Sequence, residues 1–182
     1  MDLFEKTTKE SVVFEGKIIT VCRDEVLLPN GKTSFREVVA HNGGVCIAPV
    51  TADGEFIFVR QFRYPYKEVI FELPAGKLEK GEDPLEAGKR ELEEETGCVA
   101  GRYVNMGEFY PSPGYCGERI YLFAALDLEE THMHLDEDEF LEVEKIPVER
   151  AVSMVMRDEI RDGKTQALVL KVNEMLRNGD LK

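Results

Sequence analysis

Apolar and polar residues alternate through the first quarter of the chain. Between Ser11 and Ala40, Val12, Phe14, Ile18, Thr20 and Cys22 fall on one alternation, the period of two expected of strands with one buried face. Leu28-Pro29-Asn30-Gly31 interrupts that pattern as a turn before Thr33 to Ala40, since proline presets φ and glycine accepts positive φ. A meander of antiparallel strands is predicted here. Gly43-Gly44 then breaks the chain, and Val45 to Val50 and Phe56 to Val59 form a second hairpin across Asp53-Gly54. Another strand, Val69 to Leu73, ends at Pro74-Ala75-Gly76.

The period then changes. Asp83-Pro84-Leu85-Glu86 supplies a cap, a proline at the first helical position and a capping-box glutamate, and Gly97 supplies a left-handed stop after Thr96. Strands are predicted at 103–109 and 119–126, with the rigid loop Pro111-Ser112-Pro113-Gly114 between them, and again at 140–146. Pro147 opens a helix expected to end near Gly163, and a last amphipathic helix carries Leu168, Val172 and Leu176. The sum is an α/β fold with a mixed sheet, behind a small N-terminal antiparallel β-region. The boundary is expected near residues 41–44, giving 1–42 and 43–182.

Composition narrows the class. The 182 residues suit one domain with a small appendage, and 43% hydrophobic residues suffice for a core. No apolar run approaches the roughly 18 residues of a membrane span, and the opening Met1 to Lys6 lacks the order of a secretory signal. A cytoplasmic protein is expected. Cys22, Cys46, Cys98 and Cys116 contain no C-x-x-C pair, so they read as reduced small hydrophobes.

Charge sharpens the picture further. The formal net charge is −13, which disfavours a polynucleotide partner. Residues 76–98 hold eight acids and four bases, residues 127–144 hold nine acids and no base, and the remainder is balanced. At 100° per residue Glu91, Glu94 and Glu95 share an arc of roughly 100° on the helix, with Leu85, Gly88, Leu92 and Thr96 opposite as the core face. Like charges at this spacing cost a few tenths of a kcal/mol each, and a mid-helix glycine costs about 1 kcal/mol relative to alanine. A solvated glutamate-rich helix with ordinary ion pairs would carry those costs for nothing. Three carboxylates and a loop carbonyl make an all-oxygen site suited to Mg²⁺ or Mn²⁺. Arg90 is expected to pair with Glu86 and to reach Glu94 or Glu82.

The pattern G-x5-E-x7-R-E-U-x-E-E-x-G-U is matched by Gly76, Glu82, Arg90, Glu91, Leu92, Glu94, Glu95, Gly97 and Cys98. The segment resembles the Nudix box, with Cys98 standing where an aliphatic residue is usual. That family folds as an α/β/α sandwich and hydrolyses nucleoside diphosphates linked to another group. The resemblance implies metal ligation by Glu91, Glu94, Glu95 and the Ala75 carbonyl, with a part in catalysis for Glu94, and structural support from Gly76, Glu82 and Arg90.

Outside the box, Gln61-Phe62-Arg63, Glu72-Leu73-Pro74-Ala75-Gly76, Ser112-Pro113-Gly114 with Glu118, Arg36-Glu37 and the acidic run to Val143 resemble the ADP-sugar pyrophosphatase branch. This implies hydrolysis of ADP-ribose to AMP and ribose 5-phosphate. Arg63 is then expected on the pyrophosphate, Ser112, Pro113, Gly114 and Glu118 on the ribose side, and Arg36 and Glu37 at the nucleotide end. Glu139 is expected as general base, with Glu137 as fallback. The branch also implies a homodimer through the N-terminal sheet. Rival readings are another substrate such as ADP-glucose or GDP-mannose, and a sensor that binds ADP-ribose without cleaving it. Sensors usually lose box glutamates, and here every acidic box position is filled. His132 and His134 read as solvent-facing, His41 receives no role, and Tyr64, Tyr66, Tyr110 and Tyr115 are candidates for stacking on adenine.

Overall fold

The computed structural model describes residues 2–135 and 139–181. The chain divides into two units, Met1–Gly43 with Tyr110–Arg119, and Gly44–Phe109 with Ile120–Lys182.

In the first unit β1 (Lys6–Lys9) and β2 (Val12–Glu15) both run antiparallel to β3 (Thr20–Leu27) along the same edge, with Lys6 opposite Leu27 and Val12 opposite Cys22. They act as one strand broken at Glu10-Ser11. β4 (Thr33–Ala40) takes the other edge, with Thr20 opposite Ala40. The meander lies where the alternation places it, whereas β1 is an addition. Its sequence Lys-Thr-Thr-Lys has no apolar alternation to announce it, and all four side chains are exposed. Residues 110–119 join β4 through Val39 N–H to Tyr115 O at 2.8 Å and Gly117 N–H to Val39 O at 2.9 Å.

The second unit contains β5 (Gly44–Pro49), β6 (Glu55–Arg63), β7 (Glu68–Glu72), β8 (Ala75–Lys77), α1 (Pro84–Thr96), β9 (Cys98–Phe109), β10 (Ile120–Glu130), β11 (Leu141–Pro147), α2 (Val148–Met156) and α3 (Gly163–Asn178). One sheet has the order β8-β5-β10-β9, with β5 and β10 parallel and the other pairs antiparallel. A second, antiparallel sheet has the order β11-β6-β7. Alternation along β5 and β10 sends side chains to two cores. Val45, Ile47, Phe123 and Ala125 pack with Ala87 and Leu92 of α1. Cys46, Ala48, Leu122 and Ala124 pack with Met154 of α2 and Leu168 and Val172 of α3. That is the α/β/α sandwich.

The ends of α1 fall where its capping residues place them. The Asp83 carboxylate accepts from Leu85 and Glu86 N–H, and Gly97 sits at φ 64° with its N–H on Glu93 O. The Glu86 side chain does not close a capping box, because Lys89 Nζ holds it at 2.7 Å. The helix after Pro147 ends at Met156, well before Gly163, and Gly163 instead begins α3 under an Asp162 cap. Fully buried Ile160 anchors the intervening turn, a contact that a local reading of glycine as a stop misses.

Candidate active site

β8 passes over α1 at the box. The Ala75 N–H donates to Glu95 Oε2 at 3.0 Å, and a β-carbon on Gly76 would overlap the Glu91 carboxylate. Only glycine allows this approach, so the fixed glycine belongs to the carboxylates. The expected division of α1 into a core face and an opposite carboxylate face is corrected here. Glu91 and Glu95 are 9% and 2% exposed and share the buried side with Ala87, Gly88 and Leu92. Gly88 is packed rather than idle, since a β-carbon there would lie 3.2 Å from Val45 Cγ2 and 3.3 Å from Ile47 Cδ1.

Arg90 binds the acids together from the rim. Its Nη1 donates to Glu91 Oε1 at 2.8 Å and to Glu94 Oε2 at 2.9 Å, while its Nε faces Glu82 Oε1 at 3.3 Å. Glu82 also accepts the Glu79 N–H at 2.8 Å. The expected Arg90–Glu86 pair does not form, because Lys89 occupies Glu86.

The acidic run folds back on the helix. Thr131 N–H donates to Gly97 O at 2.6 Å and His134 N–H to Glu94 O at 3.1 Å, covering carbonyls that a helix end leaves unpaired. A β-carbon on Gly97 would lie 2.9 Å from Met133 N, so this glycine both turns the chain and admits the loop. Beyond it, Gln61 Nε2 donates to Glu139 Oε1 at 3.4 Å. Glu137 lies outside the described residues.

Electrostatics shows what the acids lack. Burial, then the neighbouring charge of Glu91, hold the Glu95 pKa well above the usual carboxylate range, and the charge of Glu139 adds to this against the opposing Ala75 N–H. Burial likewise raises Glu91, although Arg90 opposes it. Buried carboxylates that repel one another favour a cation. Among the described residues no three acidic, imidazole or thiolate groups already stand together as a metal nest, and Arg90 and the Ala75 N–H take up oxygens of the box acids. The donor set is nonetheless all oxygen, and its surplus of buried negative charge fits a divalent ion.

A second buried network lies beside the first. Arg63 Nε donates to Glu72 Oε1, and its Nη2 donates to Glu72 Oε2 at 2.8 Å. Lys164 Nζ also donates to Glu72 Oε2 and lies 3.0 Å from Asp162 Oδ2. Burial alone would raise the Glu72 pKa, but the hydrogen bond from Arg63 and the charge of Lys164 outweigh it and lower it. The motif around Glu72 points to this neighbourhood, but nothing local announces Lys164, which is 92 residues away.

The residues expected on the ribose side and at the nucleotide end belong to the first unit. Arg36 is engaged by Glu5 through Nε at 2.8 Å and Nη2 at 2.6 Å. Glu37 is exposed on β4 opposite Arg23. Ser112 O accepts from Cys116 N–H at 2.9 Å, turning the chain through exposed Pro113 and Gly114. Glu118 Oε1 is 3.6 Å from His41 Nδ1, which accepts the Gly43 N–H at 3.0 Å. All four cysteines are free. No described helix is long and apolar enough to cross a membrane.

A two-layered helical cover on a mixed sheet, with an acidic helix clasped under Ala75-Gly76, defines a class, and the sequence comparisons agree. The NUDIX domain pattern matches residues 40–168, and the N-terminal domain of nucleoside diphosphate sugar hydrolases matches residues 5–39. The chain belongs to the Nudix family, whose hydrolases generally use divalent cations. It is 46% identical over 165 residues to the ADP-ribose pyrophosphatase of Bacillus subtilis (strain 168), covering 90% of this chain and 89% of that one. It is 40% identical to the methanol dehydrogenase activator of Bacillus methanolicus over 178 residues, 96% of each chain. The crystal structure of an ADP compounds hydrolase shares the fold, with a TM-score of 0.88 at 21% identity over 98% of both chains.

Proposed function

We propose that the protein is an ADP-ribose pyrophosphatase that converts ADP-ribose and water to AMP and ribose 5-phosphate. The observation that carries this reading is the pair of buried, mutually repelling carboxylates Glu91 and Glu95 beneath Ala75-Gly76, in a chain nearly half identical to a relative of that name. Glu91, Glu94, Glu95 and the Ala75 carbonyl hold the metal, with Mg²⁺ the expected ion and Mn²⁺ able to replace it. A divalent ion there supplies charge offset and electrophilic assistance to the diphosphate.

Arg63 binds the diphosphate. Glu72 occupies its Nε and one Nη2 proton, which leaves the Nη1 protons and the second Nη2 proton as a fork for phosphate oxygens. Glu139 is the general base. Gln61 holds its Oε1, and its Oε2 takes the proton of the attacking water as the phosphorus–oxygen bond forms. The bridging oxygen leaves as an oxygen of the departing phosphate group, and Glu139 releases the proton to solvent as the products separate. Ser112, Pro113, Gly114 and Glu118 serve the ribose side, and Arg36 and Glu37 the nucleotide end.

Exposed Val12, Val13, Phe14, Ile18 and Phe35, each at least half exposed on the first unit, support a homodimer through the N-terminal sheet. The decisive assay incubates the protein with Mg²⁺ in ¹⁸O water with ADP-ribose, ADP-glucose and GDP-mannose. ADP-ribose turning over fastest, with ¹⁸O in one product, is expected. A marked preference for either other sugar nucleotide would replace the substrate, and no turnover of any would favour a sensor. The likeness to a methanol dehydrogenase activator favours a second reading, in which the chain also activates a dehydrogenase. Adding it to a methanol dehydrogenase assay tests that directly.

A further inference from the structure

The buried network around Glu72 ties the start of α3 to the site. The side chain of Lys164 is 11% exposed and that of Glu72 2%. Next to Lys164, the Thr165 hydroxyl accepts the Leu73 N–H at 2.9 Å, so two successive residues of α3 grip two successive residues at the end of β7. Asp162 caps the helix through the Thr165 N–H at 3.0 Å while also meeting Lys164. The four ionic groups Arg63, Glu72, Asp162 and Lys164 sum to zero. Without Lys164 they would sum to −1, and the Glu72 charge would fall on Arg63 alone.

We propose that Lys164 is a positioning residue for the substrate diphosphate, acting through Glu72 to fix the Arg63 guanidinium and leave its positive charge available to the ligand. This inference rests on the assignment of Arg63 to the diphosphate. A buried carboxylate with a single cationic partner cancels that partner's charge, whereas one shared with a second cation leaves the first able to attract a phosphate. Lysine suits the inner place as a compact charge, and arginine the outer one, where a planar fork faces both Glu72 and the ligand.

The test is a double-mutant cycle in KM and kcat for ADP-ribose over wild type, Lys164→Met, Arg63→Gln and the double variant. Lys164→Met is expected to raise KM about tenfold with kcat within about threefold, and to have little further effect in the Arg63→Gln background. Lys164→Arg should recover most of the loss. An unchanged KM in Lys164→Met, or equal losses with and without Arg63, would overturn the proposal, since a purely structural role does not depend on Arg63. Should Lys164→Met not fold, Glu72→Gln/Lys164→Met removes both buried charges and enters the cycle in its place under the same criterion. A wild type that leaves ADP-ribose intact would count against the activity rather than Lys164. Calorimetric binding of ADP to the same four proteins then decides, with the same non-additivity expected.

Discussion

Replacing Glu95 by glutamine separates the catalytic use of that carboxylate from its structural cost. The side chain is 2% exposed, and its recorded hydrogen bond is from the Ala75 N–H at 3.0 Å. Glutamine has the same shape, and its amide oxygen can accept that bond. The substitution therefore deletes a buried negative charge beside Glu91 without leaving a cavity or unpairing the Ala75 N–H. An active site kept strained for function leaves room for a stabilising replacement, and single ones commonly contribute about 0.5–2 kcal/mol. For a domain of this size that corresponds to roughly 1–8 °C in Tm at about 2–4 °C per kcal/mol. In EDTA, Glu95→Gln should thus melt above wild type. With Mg²⁺ the order should narrow or reverse, because ligand binding stabilises wild type by mass action and glutamine ligates poorly. Turnover should fall by at least about a hundredfold, the loss of one charged group that acts in the transition state. Calorimetry with and without metal, beside a product-release assay, reads both effects. A variant that melts lower in EDTA, or one that retains normal turnover, would refute the account of Glu95 as a buried acid kept for a cation.

Other expectations follow from the same geometry. Gly97→Ala forces a side chain into φ 64° and to 2.9 Å from Met133 N; it should cost about 1–2 kcal/mol, read as a lower Tm, with turnover reduced because the loop leading to Glu139 shifts. Glu72 has a lowered folded pKa, so the stability it contributes is full above its unfolded value near 4.5 and is lost as pH falls through the folded value. Acid titration of denaturation midpoints should show this limb in wild type and a flatter one in Glu72→Gln. Wild type should elute from gel filtration near twice its 20.7 kDa, and Phe14→Lys should shift it towards one chain; a monomeric wild type would remove the dimer.

Much of the site can be read from spacing because the box is short and helical. Glu91, Glu94 and Glu95 are three and four residues apart, and the helix fixes their relation. Asp83, Pro84 and Gly97 set its ends through local capping, so α1 lies where its sequence places it. The N-terminal meander and the strands β5 and β6 were legible for the same reason, but the predicted hairpin between β5 and β6 does not form. They enter different sheets and meet at the Val50–Phe56 bridge, because β10 and β8 take the edges of β5 while β11 and β7 take those of β6. Local rules fail where a contact is remote. The turn before α3 is held by buried Ile160, and Glu86 is diverted by Lys89. β1 is polar throughout, and pairing with β3 alone makes it a strand.

The sequence by itself determined the chemistry on offer: acids at ligand spacing, a glycine before them and an arginine among them. Tertiary structure decided how that chemistry is poised. Only folding β8 across α1 buries Glu91 and Glu95 and brings the Ala75 N–H to Glu95. Only the return of the acidic run sets Thr131 and His134 against the end of α1. Only α3, arriving from 92 residues away, places Lys164 on Glu72 and so behind Arg63. Spacing along a helix is a local, periodic quantity, but burial and ion pairing between distant segments arise from packing, which no single window of sequence contains.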